Sequence, residues 1–93
     1  MDYTIKHNEN DFRFETEVDG YLAYVEYTPL DKELDLIHTW VPKEIGGRGV
    51  AAALVKFAMD YAKENQFKVV PTCPYVKAFL IRHEEYKECI YDK

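Results

Sequence analysis

Residues 38–54, HTWVPKEIGGRGVAAAL, decide how this chain folds, because the hydrophobic period changes inside them. Before Pro42 apolar and polar residues alternate, whereas from Val50 the positions Val50, Leu54, Phe57, Ala58 and Tyr61 recur at helical spacing. The alanines at 51 to 53 permit close packing of that helix against a sheet. The reading is a strand over about residues 33–41 and a helix over about 49–65, joined by a turn that holds three glycines. Strand propensity returns over residues 67–72, and strand, helix, strand in succession predicts a right-handed crossover with the two strands parallel.

Upstream of this unit the chain reads as strands and turns. A short apolar and polar mixture at Tyr3 to His7 is followed by Phe12, Phe14 and Thr16 alternating with charges. Asp19-Gly20 is a hairpin signal, residues 21–28 are rich in Tyr and Val, and Pro29-Leu30-Asp31-Lys32 supplies the next turn. These strands predict an antiparallel meander. Downstream, Pro71 and Pro74 bracket Thr72-Cys73, so the last strand cannot keep its hydrogen-bond ladder at its carboxyl end, which should part from its neighbour. Residues 75–83 carry a second, shorter helical pattern, and the 84–93 tail has aromatic anchors at Tyr86 and Tyr91. The fold class is α+β, a sheet packed with about two helices.

Composition narrows the function classes. The 93 residues suit one domain, 1–93, that buries roughly 60 to 65% of its unfolded surface and has little material for an elaborate pocket. No apolar run approaches a membrane span, and the opening MDYTIKHNEND lacks a signal-peptide pattern, so no membrane partner and a cytoplasmic location are expected. Cys73 and Cys89 form no CxxC pair and read as free thiols. His7, His38 and His83 have no metal-ligand spacing, so no metal is assigned. A net charge of −5 argues against nucleic acid and is compatible with a basic acceptor.

Gly46-Gly47-Arg48-Gly49 follows a strand and opens a helix, where free backbone N–H groups and the helix dipole favour an anion. Glycine allows close backbone approach, and Arg48 offers a phosphate partner. A flexible three-glycine loop explains the local sequence equally well. A P-loop would need Gly-Lys-Ser/Thr, and a dinucleotide fingerprint would need a longer alternating chain.

In context the segment resembles the pyrophosphate-binding motif of GCN5-related N-acetyltransferases, Q/R-x-x-G-x-G/A. Gly49 and Ala51 match its last two positions, while Gly46 stands where Gln or Arg is expected, which removes a side-chain contact but leaves the backbone cradle. HTWVP, the glycine turn, PTCPYV and FLIRHEEY together resemble a miniature single-domain branch of that family over roughly residues 20–90. The resemblance implies acetyl-CoA as cosubstrate, with its pyrophosphate on Gly46, Gly47, Arg48, Gly49, Val50 and Ala51. Its pantetheine arm would lie between the parting strands against the backbone of Trp40 and Val41, as an added strand would. Tyr75, Phe79, Arg82 and His83, the last three at i, i+3 and i+4, would cover the arm or meet the adenosine phosphate. Core packing for Phe79 and a solvated surface position for Arg82 are the plain alternatives.

Acetyl transfer to an amine needs a neutral nucleophile, a polarised thioester and a route for the CoA thiolate to leave. The tyrosine that commonly protonates the leaving sulfur in larger relatives has no counterpart in residues 76–80. The resemblance instead points to Cys73, as proton donor or acetyl acceptor, and to His38 as base; strand parity puts His38 on the face of Leu36 and Trp40. The alternatives are a small buried thiol and a histidine packed on a sheet face. Against larger relatives the sequence is expected to stop before their final strand pair, which would leave the thioester open either to an extended protein acceptor or to no specific acceptor. The expected function is acetyl-CoA-dependent N-acetyl transfer to an amine such as a protein lysine, and the alternative is a noncatalytic acyl-CoA-binding or interaction module. The oligomeric state is not legible.

Overall fold

In the computed structural model, residues 3–91 are described; the two terminal residues at each end of the expected 1–93 domain lie outside them. The strands are β1 (Lys6–Asn8), β2 (Arg13–Val18), β3 (Tyr21–Pro29), β4 (Glu33–Trp40) and β5 (Lys68–Val70), and the helices are α1 (Val50–Glu64) and α2 (Pro74–Arg82). Short 3-10 turns occupy Lys43–Ile45 and Glu84–Cys89. The sheet order is β1-β2-β3-β4-β5, antiparallel except for the parallel β4–β5 pair across α1, as the sequence predicts.

Alternation buries Phe14 and Thr16 on β2, Ala23, Val25 and Tyr27 on β3, and Leu34 and Leu36 on β4. Against this face α1 sets Val50, Leu54, Val55, Ala58, Met59 and Ala62, one apolar stripe at helical spacing. Phe57 and Tyr61 fall at the margin of that stripe, where each still touches the Phe14 ring edge-on. α2 adds Val76, Phe79 and Leu80 to the same core and begins with Pro74 in its first turn, where a missing N–H costs nothing.

Two departures from simple alternation position the site. The β3–β4 register pairs Glu26 with His38 but Tyr27 with Leu36, so Ile37 is an extra residue, a β-bulge. Beyond it the parity of β4 inverts: Thr39 continues the buried row of Leu34 and Leu36, and His38 and Trp40 turn to the exposed face. The expected placement of His38 and Trp40 on the Leu36 face therefore fails at Ile37.

The second departure is the length of β5. It pairs with only Glu33, Leu34 and Asp35 of β4, and the last tie is the Cys73 N–H donating to the Leu36 carbonyl at 2.9 Å. Pro71 has no N–H to extend the ladder, and the Thr72 N–H turns back to the Val70 carbonyl. The rest of β4 thus runs without a neighbour on its β5 side. On the other edge of β5 the tail closes in, with Val69 bridging Ile90 and the Tyr91 N–H donating to the Val69 carbonyl at 2.8 Å. Tyr86, buried as its anchoring role predicts, donates its hydroxyl to Asp60 Oδ1 of α1 at 2.6 Å.

Candidate functional site

The glycine turn delivers the chain into α1 through two left-handed residues, Gly47 (φ +75°) and Gly49 (φ +76°), a region an L side chain enters only at a cost. Gly49 is the helix N-cap, no side chain caps the helix, and its first turn carries no acidic residue. The amides at the start of this 15-residue helix are therefore open and aimed at the turn. The expected phosphate partner Arg48 is otherwise engaged: its Nη1 pairs with Asp19 Oδ2 on the β2–β3 turn at 2.5 Å, and its carbonyl accepts the Tyr3 hydroxyl. These contacts tie the turn to the β2–β3 turn and to Tyr3.

Ala52 of the first turn of α1 and Tyr75, Ala78, Phe79, Arg82 and His83 line one cleft of about 350 Å³. The amino end of α1 thus meets one side of α2, along its length, at a common opening. All four expected α2 contributors reach it, though in different ways. Phe79 is buried and His83 stacks on it with centroids 4.0 Å apart, the imidazole also lying 3.5 Å from Glu85. Tyr75 is half exposed, its phenol pushed above the usual range by burial of the hydroxyl. Arg82 lies exposed at the end of α2, with no ion pair among the described residues.

Cys73 is the N-cap of α2, 6% exposed, beside the last β4–β5 tie. Its sulfur lies 3.5 Å from Thr39 Oγ1. Burial alone pushes the thiol up, but hydrogen bonding from Thr39 and the nearby amides of Val76, Tyr75 and Thr39 outweighs it and holds the thiol below its ordinary value. No capping hydrogen bond of ordinary geometry forms at Sγ, so the Val76 and Tyr75 amides act on the thiolate by their dipoles.

Cys73 and His38 are not brought together as a hydrogen-bonded pair. His38 stands on the opposite face, with its ring edge-on to Tyr24 at 6.3 Å between centroids. They flank the unpaired stretch of β4 from its two sides. Thr39, the residue that touches the thiol, was hidden in the sequence because only the bulge turns it inward. Trp40 ends β4 beyond the last tie and Val41 follows it, Val41 packing against the core margin and Trp40 exposed. Cys89 is free and half buried at the edge of the core.

Comparison with known proteins meets this geometry. A model of the family described as GCN5-related N-acetyl-transferase matches residues 13–89. The protein NATD1 of Xenopus tropicalis is 43% identical over 49 residues, 53% of this chain and 45% of that protein. NATD1 of Danio rerio is 41% identical over 61 residues, 63% of this chain and 56% of that protein. These matches span about half the length of those two relatives. NATD1 of Mus musculus is 32% identical over 79 residues, 82% of this chain and 72% of that protein. An NMR solution structure of a GCN5-like protein from Staphylococcus aureus superposes with a TM-score of 0.75 at 30% identity, covering 98% of this chain and 90% of that one.

Proposed function

Since the chain belongs to the GCN5-related N-acetyltransferase family, we propose that it transfers an acetyl group from acetyl-CoA to an amine, with Cys73 and His38 on the two sides of the transfer. One observation carries this reading: β4 loses its neighbour at the Leu36–Cys73 tie, so the sheet opens beside a thiol held below its usual value.

In this reading the CoA pyrophosphate lies on the open amides of Gly49, Val50 and Ala51, with Gly46 and Gly47 letting it approach and Arg48 holding the turn. The fit is supported by the left-handed turn and the absence of carboxylates in the first turn of α1. The amides of the pantetheine arm replace the missing ladder partner of Trp40 and Val41. Tyr75, Phe79, Arg82 and His83 border the cleft that the cofactor's nucleotide end enters.

The Cys73 thiolate attacks the acetyl carbonyl; a carbon–sulfur bond forms to Cys73 as the bond to CoA breaks, and the CoA thiolate takes up a proton. The amine, its proton given to His38, then attacks the acetyl-Cys73 carbonyl. A carbon–nitrogen bond forms as the carbon–sulfur bond to Cys73 breaks, and the departing sulfur carries the nitrogen's remaining proton to solvent, which restores the thiolate. The amines of greatest interest are lysine side chains of an extended protein segment, for which the open sheet face and the net charge of −5 are suited.

Cys73→Ala and His38→Gln should each lower amine acetylation by about 100-fold or more while leaving CoA affinity unchanged. Incubation with acetyl-CoA alone should place an acetyl group on the Cys73 peptide, read by mass spectrometry. Unchanged acetylation in both single variants would defeat the assignment. The burial of Cys73 favours one second reading, a module that binds acyl-CoA without transferring it. Multiple turnovers with any amine exclude it.

A further inference from the structure

The sheet face turned away from α1 carries an arrangement with no part in the core. Cross-strand register sets Arg13, Glu26 and His38 in one row and Glu15, Tyr24 and Trp40 in the next. Residues directly opposite one another in such a ladder have Cβ atoms roughly 4.5–5.5 Å apart. The row positions of Glu26 and His38 are therefore adjacent, as are those of Tyr24 and Trp40.

The charges on this face are unevenly used. Arg13 gives its Nε to Glu15 at 2.7 Å and lays its guanidinium 4.8 Å over the Tyr24 ring. Glu26, next in the same row, has no hydrogen-bond or ion-pair partner among the described residues. Trp40, 48% exposed, holds a large aromatic surface in water. An unpaired carboxylate in the row beside the half-buried Tyr24 and the exposed Trp40 complements a cation with an aliphatic stem, which gains charge attraction from Glu26, cation–π attraction from Trp40 and an apolar edge from Tyr24, whose ring already carries Arg13.

We propose that Glu26, Tyr24 and Trp40 form a subsite that receives a primary alkylammonium and presents it to His38. This deepens the transfer reading above and rests on it for the role of His38. The subsite borders the β4 stretch without a β5 neighbour, so a bound ammonium lies at the opening through the sheet. Its nitrogen gives one proton to the His38 imidazole, whose new charge faces Glu26, the freed lone pair attacks the acetyl carbonyl, and the departing Cys73 sulfur takes the nitrogen's second proton. The face is open rather than pocketed, so it selects charge and a slender stem and places no limit on what the stem is attached to. Neutral alcohols and carboxylates are excluded.

The test is an NMR titration of the protein saturated with CoA, using Nα-acetyl-lysine methylamide. Saturable movement of the Trp40 indole N–H and His38 ring signals is expected. E26Q should weaken binding roughly tenfold, the loss of about one charge-assisted contact, with partial recovery in E26D. Trp40→Leu, at an exposed position, should weaken it as well. The 6-hydroxynorleucine analogue, which lacks the charge, should leave both signals in place, and putrescine in a parallel arm separates a free diamine from a peptide-borne lysine as the better source. In turnover E26Q should raise KM for the amine and leave KM for acetyl-CoA unchanged. Signals unmoved by the ammonium, or E26Q binding it as tightly as the parent chain, overturn the subsite. Intact, Glu26-dependent binding without any turnover supports the subsite and counts against the transfer reading alone.

Discussion

A hydroxyl one position beyond the expected histidine sets the character of the Cys73 thiol. Thr39 reaches the sulfur only because Ile37 is inserted into the β3–β4 register. Thr39→Val keeps the volume and removes the hydrogen bond that favours the thiolate, so the Cys73 value should rise. The rate of iodoacetamide alkylation at Cys73, followed against pH, should move its midpoint upward and fall at pH 7; an unchanged profile would mean that the helix amides alone hold the thiol down. Cys73 was legible as a candidate because two prolines isolate it at a strand end. Its partner was not: Leu34, Leu36, His38 and Trp40 alternate without a break in the sequence, and the inversion exists only in the pairing with β3. The Arg48–Asp19 pair was not legible for a similar reason, since it joins turns 29 positions apart.

The elements themselves were legible wherever a period or a turn residue marks them. Helix α1, the three-stranded core of the meander, the parallel return and the proline-limited β5 all follow from local pattern. β1 is displaced to Lys6–Asn8 from the expected Tyr3 to His7, since its register is set by Glu15, Phe14 and Arg13 of β2. The entry into α1 makes a separate prediction. A Cβ on Gly49 would meet open space, so any cost of Gly49→Ala comes from its left-handed φ alone, roughly 1–2 kcal/mol. Thermal unfolding should then fall by about 4–8 °C for each kcal/mol in a domain of this size. Gly46 has an ordinary φ but a Cβ there would approach the Lys43 carbonyl oxygen to 3.3 Å, so Gly46→Ala disturbs the 3-10 turn by crowding. Gly49→Val combines φ strain with bulk at the cradle and should also abolish saturable CoA binding, measured by calorimetry.

At the scale of the whole molecule, stability should fall with acid in two stages. His7 stacks on Phe14 at 4.4 Å and shares a 2.6 Å hydrogen bond with the Tyr27 hydroxyl; burial holds it below its usual 6.5, against the pull of Glu9. The unfolded chain therefore takes up the proton first, so stability is whole above pH 6.5 and declines as pH falls from there toward the lowered folded value. Asp60 adds a loss in the same direction at lower pH, although here it is the charged form that the fold favours. Burial would raise it, but hydrogen bonds from Lys56 and Tyr86 hold it below 3.8, and Arg13 and Asn8 hold Glu15 below 4.5. Their contribution is present above those values and disappears as pH falls through the lowered folded ones. Urea unfolding across pH should show a shallow loss beginning near 6.5 and a steeper one below about 4.5, with His7→Phe removing the first stage only. The gap beside β4 bears on a different property, colloidal behaviour. Strand edges with unsatisfied N–H and C=O groups are templates for pairing between chains. Among the described residues β1 is only three residues long and the outer edge of β5 is bridged by Ile90 and Tyr91, so the interrupted flank of β4 beyond Leu36 is one such hazard. A ligand lying along that flank would occupy the groups that otherwise invite a foreign strand, and the empty protein should be the form that self-associates on concentration.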